Sequence, residues 1–137
     1  MSSGKKVDLF IKVVQNMGLK LTDGFELFTT GVLKRHKEKW VLKYDNEYNG
    51  TSKIALFDAG FVEIVSDGDV CYNLKLNKGK VTKFVCNTKD TFSYFSVDTK
   101  DISFDINETG GRINLEYYFD VGETGNILQT KLNILVK

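Results

Sequence analysis

Apolar and polar residues alternate with a period of two along most of the 137-residue chain, and no stretch repeats apolar residues at helical spacing over ten or more positions. This limits the fold more than any other feature. Successive side chains of a strand point to opposite faces, so the alternation describes half-buried β-strands. The clearest case is ISFDINETGGRINLEYYFD, residues 102–120. Ile102, Phe104 and Ile106 share one face, and Ile113, Leu115, Tyr117, Phe119 and Val121 share one face of the return strand. Ser103, Asp105, Asn114, Glu116 and Asp120 occupy the other, the pattern of a sheet wetted on one side. A four-residue loop, Glu108 to Gly111, pairs Ile106 with Ile113. A two-residue Gly110-Gly111 loop pairs Ile106 with Leu115 instead. Both keep the same face buried, and the glycines are expected to supply the turn's positive φ.

The same reading extends along the chain. Leu9, Ile11 and Val13 lie on one face of the first strand, with Phe10 and Val14 on the other. Phe25, Leu27 and Leu33 oppose Phe28 and Val32 in the second, where Gly31 marks a bend or bulge. Trp40, Leu42 and Tyr44 point together, as do Val70, Tyr72, Leu74 and Leu76. KIALF and FVEIV flank a turn at Asp58-Ala59-Gly60. Phe95 and Val97 are out of phase with Ile102 and Phe104, which predicts a bulge or break at Thr99-Lys100-Asp101. One short helical turn is allowed around Gln15 to Asp23. About ten consecutive strands with short Gly-, Asn- and Asp-rich connections predict one all-β domain over 1–137, a barrel or a sandwich. Closure into a barrel would remove exposed strand edges, which this chain, without a single proline, must otherwise guard with lysines and bulges.

Composition bounds the function. Nineteen Lys and Arg balance 18 Asp and Glu for a net charge of +1, and only Arg35 and Arg112 are arginines. A dedicated nucleic-acid binder usually carries a strongly basic face, so such a partner is not expected from the totals, although they do not exclude a local patch. No run reaches the roughly 20 apolar residues of a membrane helix, and Asp8 and Lys12 break the apolar stretch near the start, so no signal peptide is read there. The expected location is the cytoplasm, with no membrane partner.

Candidate chemistry is sparse. His36, the one histidine, stands in KRHKEK, an expected exposed turn. Alone it builds no zinc site of the usual kind. The run could form a small basic patch, diluted by Glu38. If Lys78-Gly79 is a two-residue hairpin turn, Cys71 faces Cys86, and such neighbours lie about 4.5–5.5 Å apart between Cα atoms, within disulfide range. Two reduced thiols and a redox-sensitive pair are the alternatives. Asp105 and Glu116 could approach across their hairpin, as two carboxylates of a glycosidase would or as any pair on a wet face would. DVGETGN (120–126) lacks the ligand spacing of a calcium loop, and no phosphate loop, nucleotide fingerprint or nucleophile elbow occurs, so no cofactor or metal is expected. Trp40, Tyr44, Tyr72, Tyr94, Tyr117 and Phe119 are the candidates to line an interior, either as packed core or as a pocket for one small ligand.

FTTGVLKRHKEKWVLKYDNE (28–47) and VDTKDISFDINETGGRINLEYYFDV (97–121) resemble segments of the uncharacterised bacterial β-barrel proteins called YwiB-like, with order and spacing in agreement over nearly the whole chain. Thr29-Thr30-Gly31 and the Gly-x-Ile-x-Leu-x-Tyr run from Gly111 to Tyr117 carry the resemblance most specifically. It implies an antiparallel calycin-like (lipocalin-like) barrel of eight to ten strands and supplies no reaction. This chain departs from the family pattern at NTKDTFSYF (87–95), where members carry a Thr-Pro-Tyr-Gly-like turn, and at Ser66, where they carry an arginine two positions before a glycine. The function expected is non-catalytic binding of a small, partly apolar molecule inside the barrel. The alternatives are an interaction or structural module, homodimeric through a strand edge or sheet face, and then an enzyme without a recognisable motif.

Overall fold

A computed structural model describes residues 4–17, 20–46, 49–120 and 127–137, the side chains of 17 and 20–23 excepted. Ten strands follow one another: β1 (Lys5–Met17), β2 (Lys20–His36), β3 (Lys39–Asp45), β4 (Thr51–Phe57), β5 (Val62–Ser66), β6 (Val70–Leu76), β7 (Val81–Thr88), β8 (Phe92–Asn107), β9 (Gly110–Asp120) and β10 (Ile127–Val136). Each pairs antiparallel with the next, and β1 pairs with β10, so the meander closes into a barrel. Closure satisfies both outer edges of the sheet. The DVGETGN loop beyond Asp120 and residues 18–19 lie outside the described residues. The helical turn allowed at Gln15 to Asp23 is not formed in what is described. β1 and β2 run on as a ladder through Met17 and Lys20, with a bulge between Gln15 and Asn16.

The alternation sorts the side chains as expected. Leu9, Ile11, Leu33, Leu42, Ile54, Leu56, Leu74, Leu76, Ile113, Leu115 and Ile134 point inward and are buried. Phe10 and Phe28 point outward and stack on each other. The predicted irregularity in β8 is a register shift between Thr99 and Asp101, which lets odd positions face inward before it and even positions after it. Gly31 is a point of close approach: a Cβ there would stand 2.7 Å from the Lys43 carbonyl oxygen.

Two registers differ from expectation. The β8–β9 turn is Glu108-Thr109, with Asn107 opposite Gly110, Phe104 opposite Ile113 and Ile102 opposite Leu115. Asn107 Oδ1 accepts from the Thr109 amide at 2.8 Å and from its hydroxyl at 2.6 Å, so an asparagine shapes the turn. The glycines lie just inside β9 at φ +119° and +143°, where Cβ atoms would collide with the carbonyls of Val136 and Asp105. The slip is an even number of residues, so the same face stays buried. Asp105 therefore faces Arg112 while Glu116 faces Asp101, which separates the two carboxylates of the candidate pair along the strands.

The β6–β7 hairpin turns at Lys78-Gly79, with the Lys80 amide donating to Asn77 at 3.0 Å. Farther on, Tyr72 pairs with Cys86 and Cys71 with Asn87, so β7 has taken up one extra residue. An odd slip changes faces: Cys86 shares the inner face with Tyr72, and Cys71 lies outside. The extra residue is absorbed where the ladder is thin. Thr82 Oγ1 donates to the Lys75 carbonyl at 2.8 Å, and the turn bonds to Thr99 of β8.

Candidate functional site

The inner faces of β2 to β6 form three cross-strand rows of different chemistry. Trp40, Leu56, Val62 and Leu76 make one, and Leu42, Ile54, Ile64 and Leu74 the next. Both are aliphatic apart from Trp40. The third runs Gly31, Tyr44, Ser52, Ser66, Tyr72, Cys86 and Ser93, from β2 to β8. Across the barrel, Gln15, Thr130, Tyr117 and Thr99 form a second polar row. The buried polar residues among those described are Ser52, Ser66, Thr99 and Thr130, and all four lie in these two rows. These two rows form a hydroxyl-rich belt bordering the aliphatic rows.

Most members of the belt have partners. Asn46 Nδ2 donates to Ser52 Oγ at 3.3 Å and Ser66 Oγ at 3.2 Å. Gln15 Nε2 donates to Thr130 Oγ1 at 3.3 Å. Thr99 Oγ1 is completely buried and has no hydrogen-bond partner. Burying an unsatisfied hydroxyl is costly, so the atom stands out in a closed interior. It is adjacent to Tyr117, its cross-strand neighbour. The Tyr117 phenol is buried, and burial, with further contributions from the phenols of Tyr72 and Tyr44, pushes its pKa far above the ordinary value of 10.0. Tyr44 and Tyr72 belong to the first polar row and Tyr117 to the second.

Phe84, Phe95 and Phe119 wall the same end. Phe84 stacks on Phe95 at 5.4 Å, Tyr117 meets Phe119 edge-on at 5.1 Å, and Tyr72 meets Phe84 edge-on at 6.4 Å. None of the residues named in the two rows carries a charge, and β2 sets Asp23 opposite Gln15 at the end of the second.

Of the aromatic residues expected inside, Tyr44, Tyr72, Tyr117 and Phe119 come together here. Trp40 also points inward, but four residues along β3, and Arg35 lies over its ring at 5.6 Å while holding Asp58 through two bonds of 2.8 and 2.5 Å. Tyr94 points outward and is 70% exposed, because it shares the phase of Phe92 rather than that of Phe95 and Val97. The expected cross-strand cysteine pair is likewise corrected by the β7 register. Cys86 faces inward, where burial first and the neighbouring Cys71 thiol second raise its pKa, and Cys71, on the outer face, donates to the Gly68 carbonyl. His36 is exposed, opposite Lys39 at the end of β2.

Sequence reading missed Ser52, Ser66, Thr99, Thr130, Gln15 and Asn46. Their phase was available, since each serine or threonine occupies an inward position of its strand. What was not available was the register that joins them.

A ten-stranded antiparallel meander, closed between its first and last strands and carrying inward-facing aromatic and hydroxyl side chains, defines a closed β-barrel. The family model described as Domain of unknown function (DUF1934) matches residues 11–134, and the chain belongs to that family. The fold is similar to the crystal structure of ywiB protein from Bacillus subtilis, with a TM-score of 0.80 and 21% identity over 95% of this chain and 90% of that one. No curated protein matches. Among the described residues no helix is long and apolar enough to cross a membrane, and no three His, Cys, Asp or Glu side chains are grouped to hold a metal.

Proposed function

We propose that the barrel binds one small, uncharged, partly apolar molecule between its two hydroxyl rows. The observation that carries this reading is the buried, partnerless hydroxyl of Thr99 opposite Tyr117, at the end where Tyr72, Phe84, Phe119 and Tyr117 follow one another in ring contact. A hydroxyl both donates and accepts, so this set suits a ligand with a mixed hydrogen-bonding edge. Phe84, Phe95 and Phe119 supply flat apolar contacts for the remainder, which favours a planar ring over a flexible chain. A buried anion needs a paired cation, and the residues of the rows include no Lys or Arg, so fatty-acid anions and phosphates are disfavoured. The thin ladder between β6 and β7, whose inner residues Tyr72, Phe84 and Cys86 border the belt, would serve as the way in. The two free cysteines suit a reducing compartment, and the cytoplasm is the location this reading adopts.

A thermal-shift titration tests the proposal with neutral heterocycles, including free nucleobases, against carboxylate and phosphate analogues. Neutral rings are expected to raise Tm in proportion to the logarithm of their concentration, and Tyr117→Phe to weaken that response. A response confined to anionic compounds, or one unaltered in Tyr117→Phe, would refute it.

A further inference from the structure

Balanced totals conceal how the fold distributes charge over the outer wall. On β2, the outward positions read Phe28, Thr30, Val32, Lys34 and His36. Lys6 of β1 stands opposite Val32, which stands opposite Lys43 of β3, which stands opposite Lys53 of β4. One hydrogen-bonding row thus carries three lysines across four strands, and Lys34 lies two residues along β2 from it. A groove at this place is lined by Val32, Lys34, His36, Val41, Lys43 and Lys53, without a carboxylate. None of these four lysines forms a salt bridge in the described structure, whereas Lys78 and Lys100 on the far side pair with Asp101 and Asp98. Asp8 of β1 and Asp45 of β3 flank Thr30 on either side, between Phe28 and the lysine row, and Glu26 stands beyond Phe28.

The same wall carries an aromatic platform. Phe28 is 77% exposed and lies against Phe10 with ring centroids 4.5 Å apart and 26° between planes. One face of the Phe28 ring stacks on Phe10, its cross-strand neighbour, and the other faces water and is free to take a further flat group. Phe28 and Lys34 lie six positions apart along extended β2, a span of about 20 Å at ~3.3 Å per residue. From one end to the other this wall offers a π-face, a hydroxyl, an aliphatic step and then a cluster of cations.

We propose that the outer wall of β1 to β4 binds single-stranded nucleic acid, with one base stacked on Phe28 and the backbone phosphates running over Lys6, Lys34, Lys43 and Lys53. Stacking platforms combined with a cationic track are the physical requirements of sequence-tolerant single-strand binding. The interior site plays no part, so either proposal can fail without the other.

The test is fluorescence anisotropy of a labelled 12-nucleotide oligouridylate with the full chain, across a salt series. Four phosphate contacts predict a slope of log K against log salt of about −3, at roughly 0.7 per contact. Lys43→Gln/Lys53→Gln should make the slope shallower by about 1.4. Phe28→Ala should weaken binding by about fivefold or more and leave the slope unchanged. These positions are exposed, so the variants are expected to keep the wild-type circular dichroism and melting curve. Lys75→Gln/Lys83→Gln, on the outer faces of β6 and β7, should leave binding intact. Absence of binding at low salt, equal loss in the β6–β7 variant, or binding of phosphatidylserine vesicles in place of the oligonucleotide would overturn the proposal.

Discussion

Thr99 and Thr130 flank Tyr117 on adjacent strands, and the same substitution should act on them with opposite sign. Both are buried, at 0% and 2% exposure. Thr99 Oγ1 has no partner, while Thr130 Oγ1 accepts from Gln15. Valine keeps the branched shape of threonine and removes the hydroxyl. At Thr99 this removes an unsatisfied buried group whose desolvation costs about 1–3 kcal/mol. For a chain of this size each kcal/mol moves Tm by roughly 3 °C, so Thr99→Val should melt about 3–9 °C higher than wild type. At Thr130 the substitution removes a made hydrogen bond, a loss of about 1 kcal/mol, and Tm should fall by a few degrees. Differential scanning calorimetry at neutral pH, with urea melts to check that the m-value is unchanged, reads both. If Thr99→Val melts below wild type, the hydroxyl has a partner in the protein alone, and the ligand-bonding role proposed for Thr99 is refuted with it. If the prediction holds, the stabilised variant should also respond less to any neutral ring that raises the wild-type Tm, since a group costly to the empty barrel is useful only when occupied.

Other outcomes follow from the same geometry. The Tyr117 phenol is raised in the folded state, so its contribution is fully present below pH 10 and is lost as pH rises beyond that value, because the unfolded chain ionises first. Urea melts between pH 8 and 11.5 should show stability falling above pH 10, by up to about 1.4 kcal/mol per pH unit from this group, and Tyr117→Phe should flatten that fall. Gly111→Ala forces a side chain into the Asp105 carbonyl at φ +143°, so a destabilisation of at least about 2 kcal/mol is expected, visible as a lower urea midpoint or loss of soluble protein. Cys71 and Cys86 point to opposite sides of the sheet, so thiol titration after mild oxidant should still count two free thiols per monomer. An intramolecular disulfide in the mass spectrum would contradict the β6–β7 register.

How much was readable in advance depended on whether a property was local. The inward phase of Tyr44, Tyr72, Tyr117 and Phe119 was legible because alternation within one strand needs no knowledge of its neighbours. The bulge near Lys100 was legible for the same reason, as a break in phase between Val97 and Ile102. Tyr94 was misplaced when aromatic character outweighed phase: Phe95 next to it already occupied the inner face. The glycines of the β8–β9 hairpin were assigned to the turn, whereas they are needed where β9 passes close to β8 and β10. That need arises from a third strand, which no hairpin rule contains.

The order of apolar and polar residues by itself determined that this protein would be built of strands, which face of each would be dry, and that closure would be the economical way to treat the edges. Tertiary structure alone decided which strand meets which at what register, and so gathered two serines, two threonines and three tyrosines from distant segments into one belt. It also turned a balanced charge total into a lysine-bearing wall. The physical reason is that side-chain alternation is set within a few residues, whereas register adds up turns and bulges around a closed ring. One extra residue in β7 is enough to move a cysteine from one side of the sheet to the other.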